Sequence, residues 1–128
     1  MEWIVRKEII NFNPELRINF IDIDPYGDPW AFVDAVFRSD CIYDDNLIIV
    51  VTDGLRMRLK KARAWCTSSM YEAVEAYGES NCYTNYKEIC RELFTTKAAI
   101  AGYVITNWVS YYCGFLGQMT HYAATLDR

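Results

Sequence analysis

The stretch Asp22-Ile23-Asp24-Pro25-Tyr26-Gly27-Asp28-Pro29 concentrates the groups best able to do chemistry. Asp22 and Asp24 alternate at the end of an apolar run, so they project from the same side of a strand while Ile21 and Ile23 project from the other. A Pro-aromatic-Gly break comes next, and Asp28 supplies a third carboxylate. Open α/β sheets place ligand-binding and catalytic groups in polar loops of this kind, at the carboxyl ends of buried strands. Asp53-Gly54 closes a second apolar run, and Arg56, Arg58, Lys60, Lys61 and Arg63 come after it as a basic segment.

The elements that must position these groups are readable from the hydrophobic pattern. Residues 1–12 mix apolar and charged side chains without clear periodicity, and Pro14 separates them from the first apolar run. Residues 17–24 read as a buried strand, because Ile18, Phe20, Ile21 and Ile23 are nearly continuous rather than strictly alternating. Asp28 is placed to cap a helix that Pro29 opens, with Phe32, Val33, Val36 and Phe37 at helical spacing. Residues 40–46 read as a polar loop, and Leu47–Thr52 as a second buried strand ending at Asp53. Strand, helix and strand make a right-handed βαβ unit.

Leu55, Leu59, Ala62 and Trp65 give the basic segment one apolar face. Ser69 with Glu72, and Asn85 with Glu88, carry the spacing of capping boxes, the first opening a helix that stops near Gly78. Tyr86, Ile89, Cys90, Leu93, Phe94 and Ile100 mark the apolar face of a further helix. Residues 103–113 and 118–126 are strand-like and joined by Gly114-Phe115-Leu116-Gly117, a hairpin connection.

Composition bounds the function. At 128 residues, 52% of them hydrophobic and 16% aromatic, the sequence fits one domain with a real core and excludes disorder. Its apolar runs stop well short of the roughly 20 residues that span a bilayer, and no charged-then-apolar leader opens it, so a cytoplasmic location is expected. A net charge of −4 argues against broad attraction to a phosphate backbone, though not against a local basic patch. The five cysteines, Cys41, Cys66, Cys82, Cys90 and Cys113, include no two-residue spacing, and the single His121 completes no recognisable metal set. Buried free thiols are expected, and no metal.

Asp22-Ile23-Asp24-Pro25-Tyr26-Gly27-Asp28-Pro29 resembles the Asp-x-Asp-Pro-aromatic-Gly-Ser-Pro loop of the tRNA guanine-N2 dimethyltransferases, S-adenosylmethionine-dependent enzymes. Val51-Thr52-Asp53-Gly54 is similar to the family's next strand end. Asn81-Cys82-Tyr83-Thr84-Asn85-Tyr86, leading to Arg91 and Lys97, is similar to its Cys-Tyr-x-x-Tyr segment. The resemblance covers residues 18–126 and implies a Rossmann-like α/β half-sheet: two parallel strands with a crossover helix, further helices, and a C-terminal antiparallel hairpin whose last strand inserts beside the second. It departs from the family where Asp28 replaces the loop serine. It departs again in having no Gly-x-Gly turn before Asp22, so the chain is expected to lack the N-terminal, cofactor-binding half.

The resemblance implies roles. Asp24 would accept a hydrogen bond from an exocyclic nucleobase amine, a charged bond worth about 1.5–3 kcal/mol. The Pro25 carbonyl would accept a hydrogen bond from the amine's second N–H, and Tyr26 would stack on the base, worth about 1–3 kcal/mol. Asp22, Asp28 and Asp53 would line the substrate side. S-adenosylmethionine would bind only if a partner chain completed the site.

Other interpretations fit the same residues. Asp24-Pro25 and Asp53-Gly54 also fit turns whose carboxylates cap local amides. The basic segment also fits a solvated helix face, with RNA contact as the sharper alternative. A non-catalytic dimeric interaction module, or an RNA-binding accessory protein, would share the fold. The Asp22 strand would be left with one open edge. It is expected to be covered by residues 1–12, by a second copy across a two-fold axis, or by a complementary N-terminal-half chain.

Overall fold

A computed structural model describes residues 18–25, 27–38, 43–61 and 68–128. The described residues form strand β1 (Ile18–Ile23), helix α1 (Trp30–Arg38), strand β2 (Tyr43–Asp53) and a short helix α2 (Arg58–Lys61). Helices α3 (Ser68–Tyr77), α4 (Glu79–Thr84) and α5 (Tyr86–Ile100) come next, then strands β3 (Val104–Cys113) and β4 (Met119–Asp127). A turn of 3-10 helix, Phe115–Gly117, links the last two.

The strands make one four-stranded sheet in the order β1-β2-β4-β3. β1 and β2 run parallel, with Ile21 beside Ile49 and Ile23 beside Val51. β4 is antiparallel to both neighbours and lies between them, pairing Thr52 with His121 on one side and Tyr111 with His121 on the other. The expected half-sheet, with its crossover helix and inserted last strand, is therefore the observed one.

One face of the sheet carries the core. Ile21, Ile23, Leu47, Ile49, Val51, Tyr122, Ala124 and Leu126 are buried there. Trp30, Val33 and Val36 of α1 and Tyr86, Ile89, Cys90, Phe94 and Ala98 of α5 are buried with them in the same core. An aromatic series runs through it: Trp30 stacks on Tyr122 at 6.2 Å, Tyr122 on Trp108 at 5.2 Å, Trp108 tilts on Phe94 at 5.6 Å, and Phe94 meets the edge of Phe37 at 5.5 Å. Each such pair contributes about 0.5–1.5 kcal/mol beyond its buried area. An ion pair between Asp34 and Lys97 ties α1 to α5.

The other face has no helical cover among the described residues. Phe20 (54% exposed), Ile48 (42%), Val109 (62%) and Tyr111 (53%) lie on it. β1 pairs only with β2 among the described residues. Residues 1–12, the expected cover for its free edge, lie outside those residues, as do Cys41 and Cys66. Cys82 and Cys90 are buried free thiols and Cys113 is a half-buried one.

Several local expectations are corrected. β2 begins at Tyr43, not Leu47, because the Tyr43 side chain is buried and its hydroxyl donates to the Val36 carbonyl at 3.0 Å. Pairing of Asn46 with Asp127 and Leu47 with Leu126 carries the ladder into the expected loop. Neither capping box forms as read. α3 already starts at Ser68, which puts Ser69 inside it. Asn85 makes no side-chain cap, since the unforeseen helix α4 ends on it and its N–H is used on the Asn81 carbonyl at 2.9 Å. Ile100 is 83% exposed rather than part of the α5 core face. Among the described residues no helix is long and apolar enough to cross a membrane.

Candidate functional site

The loop after β1 and the turn after β2 meet at the carboxyl rim of the two parallel strands. The Gly27 N–H donates to the Pro25 carbonyl at 3.1 Å, folding the loop back on itself. Gly27 has φ +101°, a left-handed conformation that suits glycine and strains other residues. Its carbonyl accepts the Gly54 N–H at 2.8 Å, fastening one strand end to the other. The approach is close: a Cβ on Gly54 would stand 3.3 Å from the Gly27 Cα.

Asp24 is exposed on this rim. Asp22 is exposed on the uncovered sheet face, opposite Val50 in register. Asp28 turns inward instead, and its Oδ1 accepts the Trp30 N–H at 2.9 Å. The Phe32 and Val33 N–H groups both reach the Pro29 carbonyl at 3.0 Å, so α1 starts one residue later than the sequence suggests, with Asp28 still holding its first turn. Tyr26 lies outside the described residues.

Asp53 is fully buried. Its Oδ1 accepts the Leu55 N–H at 2.8 Å, and its Oδ2 accepts the hydroxyls of Tyr86 at 2.8 Å and Tyr122 at 2.9 Å. The Cys90 thiol donates to Oδ2 from 3.9 Å. Burial raises the carboxyl to about 6; the Leu55, Tyr86 and Tyr122 hydrogen bonds pull it back, and the Asp28 charge pushes it up again. Burial, reinforced by the Asp53 charge, holds the Tyr86, Tyr122 and Cys90 protons well above their usual values. With both oxygens taken by internal donors, Asp53 orders the Gly54-Leu55 turn against which Gly27 docks.

The basic segment divides. Arg56 is turned into the fold, its guanidinium 3.7 Å from the Tyr112 ring centre and 4.2 Å from that of Tyr83. Its Nε donates to the Tyr83 carbonyl at 3.1 Å and its Nη1 to the Gly117 carbonyl at 3.3 Å. Arg58 is exposed and lies against Gly27. Lys60 and Lys61 fall on α2, and Arg63 lies outside the described residues. His121 stacks on Tyr111 with centroids 5.4 Å apart, and its Nδ1 is 3.5 Å from the Thr52 hydroxyl. Among the described residues no group of three His, Cys, Asp or Glu could hold a metal ion.

The structure thus brings Asp24, Pro25, Asp28, Asp53 and Arg58 to one rim, and sends Asp53 and Arg56 inward. The sequence puts Tyr86 and Cys90 on a helix face and Tyr83 and Tyr86 in the family-like segment, but it gives neither these nor Tyr122 and Tyr112 a place around Asp53 or Arg56. A signal existed for Tyr122, which alternates with Ala124 and Leu126 on the inward face of β4.

No protein-family model matches the sequence, and no curated protein does. A solved structure of Trm1 from Pyrococcus horikoshii, in complex with S-adenosyl-L-methionine, is similar over 84% of this chain with a TM-score of 0.58 and 22% identity. The chain has a methyltransferase-like fold. It spans 27% of that protein's chain.

The described residues do not by themselves fit an adenosyl group. The two rim glycines, Gly27 and Gly54, are spent on one another, which leaves neither backbone open as a glycine-rich cradle.

Proposed function

We propose that this chain supplies the base-holding part of an S-adenosylmethionine-dependent methyltransferase acting on an RNA nucleobase amine in the cytoplasm, with a partner chain supplying the adenosyl-holding part. The observation that carries this is the position of Asp24. It is an exposed carboxylate at the carboxyl rim of a parallel pair, on an Asp-Pro-x-Gly loop held by the Gly27–Gly54 bond, in a methyltransferase-like fold. Asp24 would accept a hydrogen bond from one amine N–H and orient the nitrogen lone pair outward. The Pro25 carbonyl, already taking the Gly27 N–H, has a second lone pair for the other proton. Tyr26 would stack on the base. Orientation supplies most of the acceleration in such a site, and no residue needs to become a nucleophile.

The test uses the protein purified from its host with any chain it retains, methyl-labelled S-adenosylmethionine and total RNA. Label is expected in a nucleobase amine, and Asp24→Ala is expected to lower it by about 10²-fold, the scale of a lost orienting contact. Wild-type incorporation no greater than that of Asp24→Ala would remove the proposal.

A second reading, a non-catalytic module that assembles as a homodimer, is favoured by an apolar sheet face and a β1 edge that no described residue covers. Saturable S-adenosylmethionine binding by the isolated chain, measured by calorimetry, would count against it.

A further inference from the structure

We propose that Arg58 binds a nucleic-acid phosphate beside the Asp24 loop, fixing the nucleotide whose base the loop holds. The inference rests on the base-holding reading above and names what that reading leaves open, the contact to the substrate's backbone.

The guanidinium is seated on the loop. A Cβ built on Gly27 would stand 2.9 Å from Arg58 Nη2 and 3.4 Å from its Cζ, so the side chain can lie there because residue 27 has none. Arg58 is exposed, and among the described residues its guanidinium has no carboxylate, carbonyl or ring partner. That is unusual on a rim carrying Asp24 and Asp28. Part of the reason is visible in Asp28, whose Oδ1 is occupied by the Trp30 N–H.

Arg56, two residues earlier, shows the contrast. Its planar fork is closed between two tyrosines and two carbonyls. Among the described residues no group takes up the donors of Arg58, and a guanidinium fork matches the paired oxygens of a phosphate. RNA bases read by proteins are splayed out of single-stranded segments, which carries the flanking phosphates to the lip of the base site. With a net charge of −4, the chain offers no broad positive field, so the positioning of a backbone phosphate falls to local contacts.

The experiment is fluorescence anisotropy of a labelled, guanine-containing single-stranded RNA, titrated with the full chain and any partner it retains across a series of salt concentrations. Arg58→Gln is expected to weaken binding about tenfold, the scale of a charge-assisted hydrogen bond. It should also reduce the slope of log affinity against log salt by about 0.7, the single-strand value for one phosphate contact. Arg58→Lys keeps the charge and should keep the slope while binding more weakly. Arg91→Gln, an exposed arginine on α5, should change neither.

An unchanged slope in Arg58→Gln overturns the assignment. Asp24→Asn run in parallel separates the two ideas: it should weaken binding with no change in slope. If Asp24→Asn is silent while Arg58→Gln loses slope, the phosphate contact stands and the base-holding reading falls. If wild type has no affinity at low salt, both fall.

Discussion

The Gly54 N–H donates to the Gly27 carbonyl at 2.8 Å, so the loop after β1 hangs on the turn after β2. Residues 27 places apart in sequence are made neighbours by the parallel pairing of their strands. This bond makes the position of Asp24 depend on the order of the Asp53-Gly54-Leu55 turn, and through it on the buried donors around Asp53.

Gly27→Ala is expected to destabilise the fold by about 1–3 kcal/mol, the cost of a non-glycine residue held at φ +101°. The nearest obstacle to the new methyl is the flexible end of Arg58, which can swing away. The strain therefore lies in the backbone. Thermal melts of Gly27→Ala with and without Arg58→Ala should show the same loss; rescue by the second change would place the strain in the side-chain clash instead.

Asp53 makes stability depend on pH in a direction opposite to the ordinary paired carboxylate. Its folded-state value is about 6 against 3.8 for an ordinary aspartate, so the folded chain holds this proton more tightly than the unfolded chain. Its contribution is full below pH 3.8 and is lost as pH rises through about 6. The span amounts to something on the order of 3 kcal/mol. Asp53→Asn has no such proton. Urea unfolding of both proteins from pH 4 to 7 should show the asparagine variant gaining on wild type as pH rises, and two parallel stability curves would be evidence against it.

Tyr122→Phe removes one of the two hydroxyls on Asp53 Oδ2 and leaves a buried acceptor short of a donor. A loss of about 1–3 kcal/mol is expected, because an unmet buried polar group keeps its desolvation cost. In the Asp53→Asn background the loss should be smaller, since the charge that needed the donor is gone. Additive losses in the double-variant cycle would show that the hydroxyl and the carboxylate act independently.

Arg56→Ala is expected to cost about 2 kcal/mol, the scale of a desolvated cation–π contact. Arg56→Lys should recover less than half of it, because an ammonium cannot lie flat between the Tyr83 and Tyr112 rings while reaching two carbonyls. Denaturant midpoints of the three proteins give the answer. A lysine variant as stable as wild type would mean that charge alone is what the site requires.

Hydrogen exchange can decide whether the side of β1 that no described residue pairs is paired in solution. In a parallel ladder, alternate amides of an edge strand bond the neighbour and the rest face outward. A cover, whether residues 1–12, a second copy or a complementary chain, should protect all the amides of Ile18–Ile23. Protection of every second amide only would mean the edge stays open.

The sheet was legible because its signals are local. Continuous apolar runs ending in Asp24 and Asp53, a Pro29 helix start and a glycine-bounded connection near 114–117 mark strands, crossover and hairpin without reference to anything distant. The Tyr43 end of β2 was not, because residues 43–46 are mostly polar and become strand through distant partners, Tyr43 beside Ile18 of β1 and Asn46 beside Asp127 of β4. The capping-box spacings at Ser69 and Asn85 misled for a related reason: Ser69 is already inside its own helix, which includes Ser68, and the backbone of Asn85 is claimed by the end of α4. At the site, residue type located Asp24 and Asp53 but not their directions. Nothing within the run Asp53-Gly54-Leu55-Arg56 distinguishes a carboxylate and a guanidinium that face inward; the tyrosines that draw them in lie 27 to 69 positions away.

β4 comes after β3 in the chain yet lies between β2 and β3. As the polypeptide emerges from the ribosome, β2 can pair with β1, but its other edge and the whole of β3 wait until β4 has cleared the exit tunnel. Tyr122, one of the three side chains that grip Asp53, arrives on that same strand. Assembly is thus forced toward a single late, non-local step, slow in the manner of high-contact-order folds. The rim that carries Asp24 would set hard only when that step is complete.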